Sequence, residues 1–328
     1  MSSNKGTRKL NYALAINEAL AQKLESDPSV ILIGQGVTSP WYVGNTCKDL
    51  VERFGEERVI DTPVSENATT GAAVGAAIAG MKAIVVHPRT DFAVYAFDPI
   101  INQAANWFYM SGGTSSVPVV FWLIVNGGGE QAAQHSQALH TVFAHVPGLK
   151  VIAPSTAYDV KGLLIGAIND PNPVVFIDNR SLYGASENVP EEMYEIPFGK
   201  GVVRRKGKDI TLVSFSFLAQ ESVKAAEALA LEGIDAEVID IRTLKPLDEK
   251  IILDSVNKTG KIAIVDSAWK FCGFSAEIAA LINEKTNLSN KSILRVNIPD
   301  APAPASVSLE EGYYLNSDKI VKSVKSLF

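Results

Sequence analysis

Apolar residues recur along this chain in two alternating rhythms. From Leu10 to Leu24 the positions Ala13, Leu14, Ile16, Ala19, Leu20 and Leu24 return at roughly helical spacing, until Ser26-Asp27-Pro28 ends the run. Val30-Ile31-Leu32-Ile33 is then a short continuous apolar stretch, the pattern of a strand buried on both faces, and Gly34-Gln35-Gly36 closes it. The same reading predicts helices over 47–54, 69–80, 97–110, 136–145 and 157–168, with strands over 83–86, 117–125, 150–153 and 174–177. Such regular alternation implies an α/β fold, a mostly parallel sheet covered by helices on both faces.

Between Asp178 and Lys208 the chain turns charged and turn-forming, with Glu191-Glu192 and Arg204-Arg205-Lys206 on either side of Pro197-Phe198-Gly199, and a domain boundary is expected there. A second alternation follows, with strands over 210–215, 236–239, 262–265 and 293–296 and helices over 219–231, 249–257, 274–283 and 318–326. Ala301-Pro302-Ala303-Pro304 punctuates this second half without linking anything. No repeat of fixed period and no low-complexity tract interrupts it.

Composition narrows the class. A length of 328 residues favours two domains over one core. Hydrophobic residues at 47%, charged residues at 20% and a net charge of −6 describe a soluble globular protein without the basic balance of a nucleic-acid binder. Cys47 and Cys272 lie far apart without metal-ligand spacing, which suits reduced thiols in a reducing compartment. The polar start, Met1 to Lys9, has no apolar signal core, and no later run is long enough to span a bilayer. The expectation is a cytoplasmic protein with neither nucleic acid nor membrane as partner.

The most unusual chemistry stands at Asp61-Thr62-Pro63-Val64-Ser65-Glu66-Asn67, followed at once by the small-residue run Gly71 to Gly80. An acid among apolar groups has its neutral form favoured and becomes useful for proton transfer near neutral pH. Equally, Glu66 suits the first turn of a helix as a complement to its dipole. Neither nucleotide-binding glycine fingerprint is present: Gly127-Gly128-Gly129-Glu130 follows a strand and either brings backbone close to a ligand or makes a flexible turn. His135 lies just beyond, at the end of an open parallel sheet where ligands bind, and is either catalytic or structural. His140 and His145 are five apart without the glutamate of a zinc protease, and Ser136 lacks a nucleophile-elbow setting. Phe92, Tyr95 and Phe97 form an aromatic cluster of the kind that is usually core packing.

Taken together, these segments resemble a known family. Val59 to Glu66, Gly71 to Ala77, Tyr109-Met110-Ser111-Gly112-Gly113, Ala132 to Gln137 and Pro147 to Val151 are similar to the beta subunits of thiamine-diphosphate-dependent 2-oxo-acid dehydrogenases, those of pyruvate dehydrogenase above all. Val238 to Pro246 and Gly273 to Glu277 extend the likeness, in order, through the second half. The resemblance implies a transketolase-type pyrimidine-binding domain over 1–190, a linker over 191–205 and a transketolase-type C-terminal domain over 206–328. It implies that Glu66 hydrogen-bonds the aminopyrimidine of thiamine diphosphate and favours the tautomer that starts catalysis, that Phe92 stacks on that ring, and that His135 assists proton transfer. It also implies a potassium site at Ala167, Asp170 and Asn172, residues that an ordinary turn explains as well. The family binds diphosphate and magnesium through Gly-Asp-Gly, which this sequence lacks. An alpha subunit carrying that half of the site is therefore expected, in an alpha2beta2 assembly.

Two positions depart from the family. Gln35 stands where an acid is usual, and Trp122-Leu123-Ile124 replaces Arg-x-Pro, changes expected to act at the substrate end of the site. The leading expectation is decarboxylation of a pyruvate-like 2-oxo acid with acyl transfer to lipoamide on a lipoyl acyltransferase. The alternative is an acyl-anion transferase that joins the fragment to an aldehyde or ketone. A third reading is a non-catalytic partner of an alpha subunit, against which the joint presence of Glu66, Phe92 and His135 argues.

Overall fold

A computed structural model describes residues 8–288 and 292–328. Most of the polar start read above, residues 1–7, lies outside the described residues. The chain divides into two compact units: residues up to Ile124 with Val146–Pro197, and Val125–His145 with Phe198–Phe328.

In the first unit, β1 (Lys9–Asn11) leads into α1 (Tyr12–Ser26), whose start is capped by the Asn11 side chain accepting the Leu14 N–H at 2.8 Å. Then come β2 (Val30–Gly34), the short helices α2 (Pro40–Val43) and α3 (Leu50–Phe54), β3 (Val59–Asp61), α4 (Glu66–Ile78) and β4 (Lys82–His87). A 3-10 turn at Thr90–Ala96 comes next, and the helix expected over 97–110 is two pieces, a π-helical stretch at Asp98–Ala104 and α5 (Ala105–Met110). β5 (Val119–Val125) follows, and α6 (His140–His145) belongs to the second unit. β6 (Lys150–Ile152), α7 (Ala157–Asn169), β7 (Val174–Asn179) and β8 (Ser186–Asn188) complete the first unit, β8 pairing antiparallel with β1.

Its main sheet runs β6-β7-β5-β4-β2-β3, with β2 parallel to both β3 and β4, β4 parallel to β5, and β6 parallel to β7. The central strands are buried along their whole length, as their unbroken apolar runs require. This order has a reversal at its centre. From β2 the chain crosses to β3 on one side, and from β4 it crosses to β5 on the other. The crevice beyond the carboxyl ends of β2 and β4 is therefore where an open α/β sheet binds ligands.

The second unit contains β9 (Val202–Arg205), β10 (Ile210–Ser214), α8 (Ser216–Leu231), β11 (Ala236–Asp240), β12 (Thr243–Lys245), α9 (Glu249–Thr259), β13 (Ile262–Trp269), α10 (Phe274–Lys285), β14 (Ile293–Ile298), α11 (Val307–Tyr313) and α12 (Ser317–Lys325). Its sheet runs β14-β13-β10-β11-β9, parallel except for β9. Leu212, Val238, Ala263, Leu229 and Ile320 belong to its core. The polar strand β9 was not legible because it is an edge; Arg204 reaches the buried Asp240 through Nε at 3.1 Å and Nη2 at 2.8 Å.

Residues 125–145 are bound into this unit by side chains. His140 Nε2 lies 2.9 Å from Asp266 Oδ1, both fully buried, and Lys245 Nζ donates to Ala144 O at 3.1 Å. Asp266 also accepts the backbone N–H of Ala268 and of Ser275. Burial alone would raise its pKa, but His140 and these N–H donors hold the carboxyl below its ordinary value. The helix expected over 136–145 starts only at His140; ahead of it Ala132 sits at φ 60° and Ala133–His135 forms a 3-10 turn.

Candidate active site

Gly34 ends β2 against the end of β4, and its lack of a side chain is what permits the approach: a Cβ there would lie 2.6 Å from Val86 O. Asp61, at the end of β3, ties down the turn after β2 by accepting Gly36 N–H at 2.7 Å and the Thr38 hydroxyl at 2.5 Å. Into the resulting crevice α4 points its first residue, Glu66. Gln35, Thr62, Ser65, Glu66, Thr69 and His87 line a cleft with room for about one water molecule, roughly 10 Å3.

Glu66 occupies the first turn of α4, where its charge complements the helix dipole, and it also lines the crevice at the reversal of strand order. It is half-exposed in this chain, not enclosed by apolar groups as the flanking small residues suggested. The small residues instead leave one face of α4 open, with Gly71, Ala72, Gly75 and Ala79 exposed.

His87 is the residue that sequence reasoning missed. It is the last residue of β4, fully buried, and hydrogen-bonded to the Thr70 hydroxyl of α4 at 3.0 Å. Burial pushes its pKa down to about 4, so the imidazole facing Glu66's cleft is neutral at physiological pH. Only the strand order gives it significance; in sequence it is the polar end of an apolar run.

Phe92 sits half-buried in the 3-10 turn after β4, its N–H donating to Arg89 O at 3.2 Å. The start of α4 is joined to this turn through Asn67 Nδ2, which donates to Tyr95 O at 3.3 Å. Glu66 and the segment carrying Phe92 are thus brought together, although the Phe92 ring does not line the small cleft. Around them several apolar side chains are left in the open, among them Val64 (68% exposed), Tyr95 (72%) and Tyr109 (88%).

His135 belongs to the second unit, half-exposed, at the end of a loop with strained backbone. Gly128 and Gly129 have φ of 93° and 78°, and the non-glycine residues Glu130 and Ala132 have φ of 59° and 60°. Left-handed non-glycine residues cost about 1 kcal/mol each and persist where their surroundings impose them. Next to His135 the Ser136 hydroxyl is buried without a hydrogen-bond partner.

Trp122 does not open onto a substrate cleft as expected. It is wholly buried, stacks on Phe176 at 5.8 Å, and donates from Nε1 to Asp178 Oδ2 at 2.9 Å. Tyr183 OH donates to the same oxygen at 2.7 Å, while Asp178 Oδ1 has no partner. Burial pushes the Asp178 pKa up to about 7 against the pull of these two donors and Arg180. A neutral ring thus fills this interior position.

Of the residues expected to hold potassium, Ala167 is buried in α7 and Asp170 caps that helix. The Asp170 carboxylate is taken by the Lys150 ammonium and by Asn172 N–H at 2.9 Å, while Asn172 Oδ1 is buried without a partner. Among the described residues no group of three or more His, Cys, Asp or Glu side chains is arranged to hold a metal, and no helix is long and apolar enough to cross a membrane. A larger cavity of about 530 Å3 opens in the second unit beside His145, Lys245, Cys272 and Glu277. It contains neither Glu66 nor His135.

Two domain families match the chain: the transketolase pyrimidine-binding domain over residues 8–186 and the transketolase C-terminal domain over 199–320. The beta subunit of acetoin:2,6-dichlorophenolindophenol oxidoreductase from Cupriavidus necator is 43% identical, over 97% of both chains. Its Bacillus subtilis counterpart is 39% identical, over 96% of both. The pyruvate dehydrogenase E1 beta subunit of Rickettsia felis is 41% identical, over 95% of this chain and 96% of its own. Among solved structures, a split-gene transketolase described as an inactive beta4 tetramer superposes with a TM-score of 0.79 at 21% identity, covering 97% of this chain and 98% of its own, a likeness of fold. The chain belongs to the transketolase-like family of E1 beta subunits that includes those of pyruvate dehydrogenase and of acetoin oxidoreductase.

Proposed function

We propose that this chain is the beta subunit of a thiamine-diphosphate enzyme that decarboxylates a pyruvate-like 2-oxo acid and passes the acyl fragment to lipoamide. The observation that carries the reading is Glu66 at the switch-point crevice, on the domain that the family names for pyrimidine binding. The polar lining groups of the cleft, one carboxyl, hydroxyls, an amide and a neutral imidazole with Pro63, Val86 and Pro88 among them, suit the edge of a heteroaromatic ring laid against it. When bound, thiamine diphosphate supplies a heterocycle that stabilises negative charge on the carbon from which carbon dioxide leaves.

The protein's share is acid–base work and orientation. Glu66 meets a ring nitrogen through its carboxyl oxygen and exchanges one proton across that contact, and its place in the first turn of α4 fixes where it stands. Neutral His87, bonded to Thr70, supports the cleft without adding a charge that would compete for Glu66. Phe92 offers an apolar face to the ring. His135 gives or takes a proton at the substrate end. Diphosphate and magnesium fall to an alpha subunit, in an alpha2beta2 assembly for which the exposed Val64, Tyr95 and Tyr109 provide an apolar contact surface. Potassium at Ala167, Asp170 and Asn172 is supported by the orphaned Asn172 Oδ1 and requires Lys150 to release Asp170. The domain assignment of 1–190, 191–205 and 206–328 and a cytoplasmic setting, suited to the free thiols of Cys47 and Cys272, complete the proposal.

Gln35 favours a second reading. It lines Glu66's own cleft without the acid usual at that place, which suits an acceptor other than lipoamide, an aldehyde or ketone to which the fragment is joined. Chain and alpha subunit, supplied with pyruvate and thiamine diphosphate, are to be offered a lipoyl domain or carbonyl compounds. Reductive acylation of the lipoyl domain supports the first reading, carbon–carbon bond formation alone supports the second, and carbon dioxide release in neither case rejects both.

A further inference from the structure

The glycine-rich loop ahead of His135 is held from a distant part of the same unit. Glu310, in α11, is 8% exposed, and its carboxylate accepts two successive backbone N–H groups: Gly129 N to Oε2 at 3.1 Å and Glu130 N to Oε1 at 2.9 Å. Consecutive N–H groups converging on one anion form a nest, here filled by the chain's own side chain across 180 residues of sequence. Gly128, beside this carboxylate, has a φ of 93° that L side chains rarely adopt, so the backbone angle and not a lack of space calls for glycine there. Glu310 is itself fixed within α11, its N–H donating to Ser306 O and its carbonyl accepting Tyr314 N–H.

We propose that Glu310 is the positioning residue for His135: its carboxylate imposes the left-handed turn at Gly129 and Glu130 and thereby sets where the imidazole stands. The backbone supports this. Glu130 and Ala132 both sit at positive φ, a conformation that non-glycine residues leave when nothing holds them, and His135 follows three residues after the second. Gln131 Nε2, donating to Gly129 O at 3.2 Å, carries the same constraint along the loop. Removing the carboxylate leaves two N–H groups without their acceptor and lets the turn relax. As a positioning residue for the proton-transfer group, Glu310 is expected to act on turnover rather than on substrate capture. The inference rests on the reading of His135 as the proton-transfer group of the proposed reaction.

The test has an arm without catalysis and an arm with it. In the isolated full chain, amide hydrogen exchange is followed over residues 127–135 in wild type, Glu310→Gln and Glu310→Ala. The expected result is at least a tenfold loss of protection at Gly129 and Glu130 in Glu310→Ala, a smaller loss in the isosteric Glu310→Gln, and unchanged protection in β10 and β13. In the reconstituted alpha-beta enzyme, kcat falls about tenfold in Glu310→Ala with KM within twofold, and Glu310→Ala adds no further loss in a His135→Ala background. Unchanged loop protection overturns the clamp. An undiminished loss in the His135→Ala background shows that Glu310 acts otherwise and overturns the positioning role while the reaction stands. A His135→Ala enzyme with wild-type turnover removes the reading of His135 itself and the functional part of the inference with it.

Discussion

His87 and Asp178 are driven toward their neutral forms by the same burial, yet they bend stability with pH in opposite directions. For His87 the folded pKa, about 4, lies below the ordinary 6.5, so between those values the unfolded chain binds more protons and stability falls as pH falls. For Asp178 the folded value, about 7, lies above 3.8, so the folded chain binds more protons and stability falls as pH rises through that window. Denaturant titrations of His87→Gln and Asp178→Asn at pH 5 and pH 8 separate them: the first variant loses the acid-side weakening, and the second loses the fall toward pH 8. Trp122→Phe keeps the stacking on Phe176 but removes a donor from a buried carboxyl, at an expected cost of about 1–3 kcal/mol. A midpoint equal to wild type contradicts that assignment. Glu66, Phe92 and His135 could be singled out as candidates from the sequence because each lies in a contiguous motif. His87 was not, because its importance arises from the parallel register that sets Gly34 beside Val86.

Among elements, the strands and the long helices were readable from periodicity because they bury continuous or regularly spaced apolar faces. Several short elements were not. β1 and β8 are polar three-residue strands, and α11 follows proline punctuation, so neither period shows. The assignment of 125–145 to the second unit was hidden for a similar reason: it rests on single side-chain pairs such as His140–Asp266, which no local pattern announces. Removing one member of so buried a pair, in His140→Ala, is expected to cost about 3 kcal/mol and to loosen α6, read as lost exchange protection over 140–145. Retained protection there shows that other contacts hold the helix. At the junction of β2 and β4, Gly34→Ala forces a Cβ against Val86 O and is expected to cost about 1–3 kcal/mol, with loss of turnover in the reconstituted enzyme. A fully active Gly34→Ala enzyme means that the crevice is not the site.

The relatives of this chain are beta subunits, and in the molecule as a whole apolar side chains stand in the open around α4 and α5. Tyr109→Glu is expected to weaken alpha-subunit association by at least tenfold in sedimentation experiments while leaving the melting temperature of the isolated chain unchanged. Unaltered assembly places the contact elsewhere. The substrate and the acceptor were never legible, since side chains at the far end of the site, not the fold, select them. The central claim is narrower and can be struck directly. With alpha subunit, thiamine diphosphate, magnesium and pyruvate, the rate of carbon dioxide release is to be compared between wild type and Glu66→Gln, which keeps size and hydrogen bonding but cannot hold the proton. The account predicts a fall of at least about 100-fold with the assembly intact; turnover at the wild-type rate contradicts it.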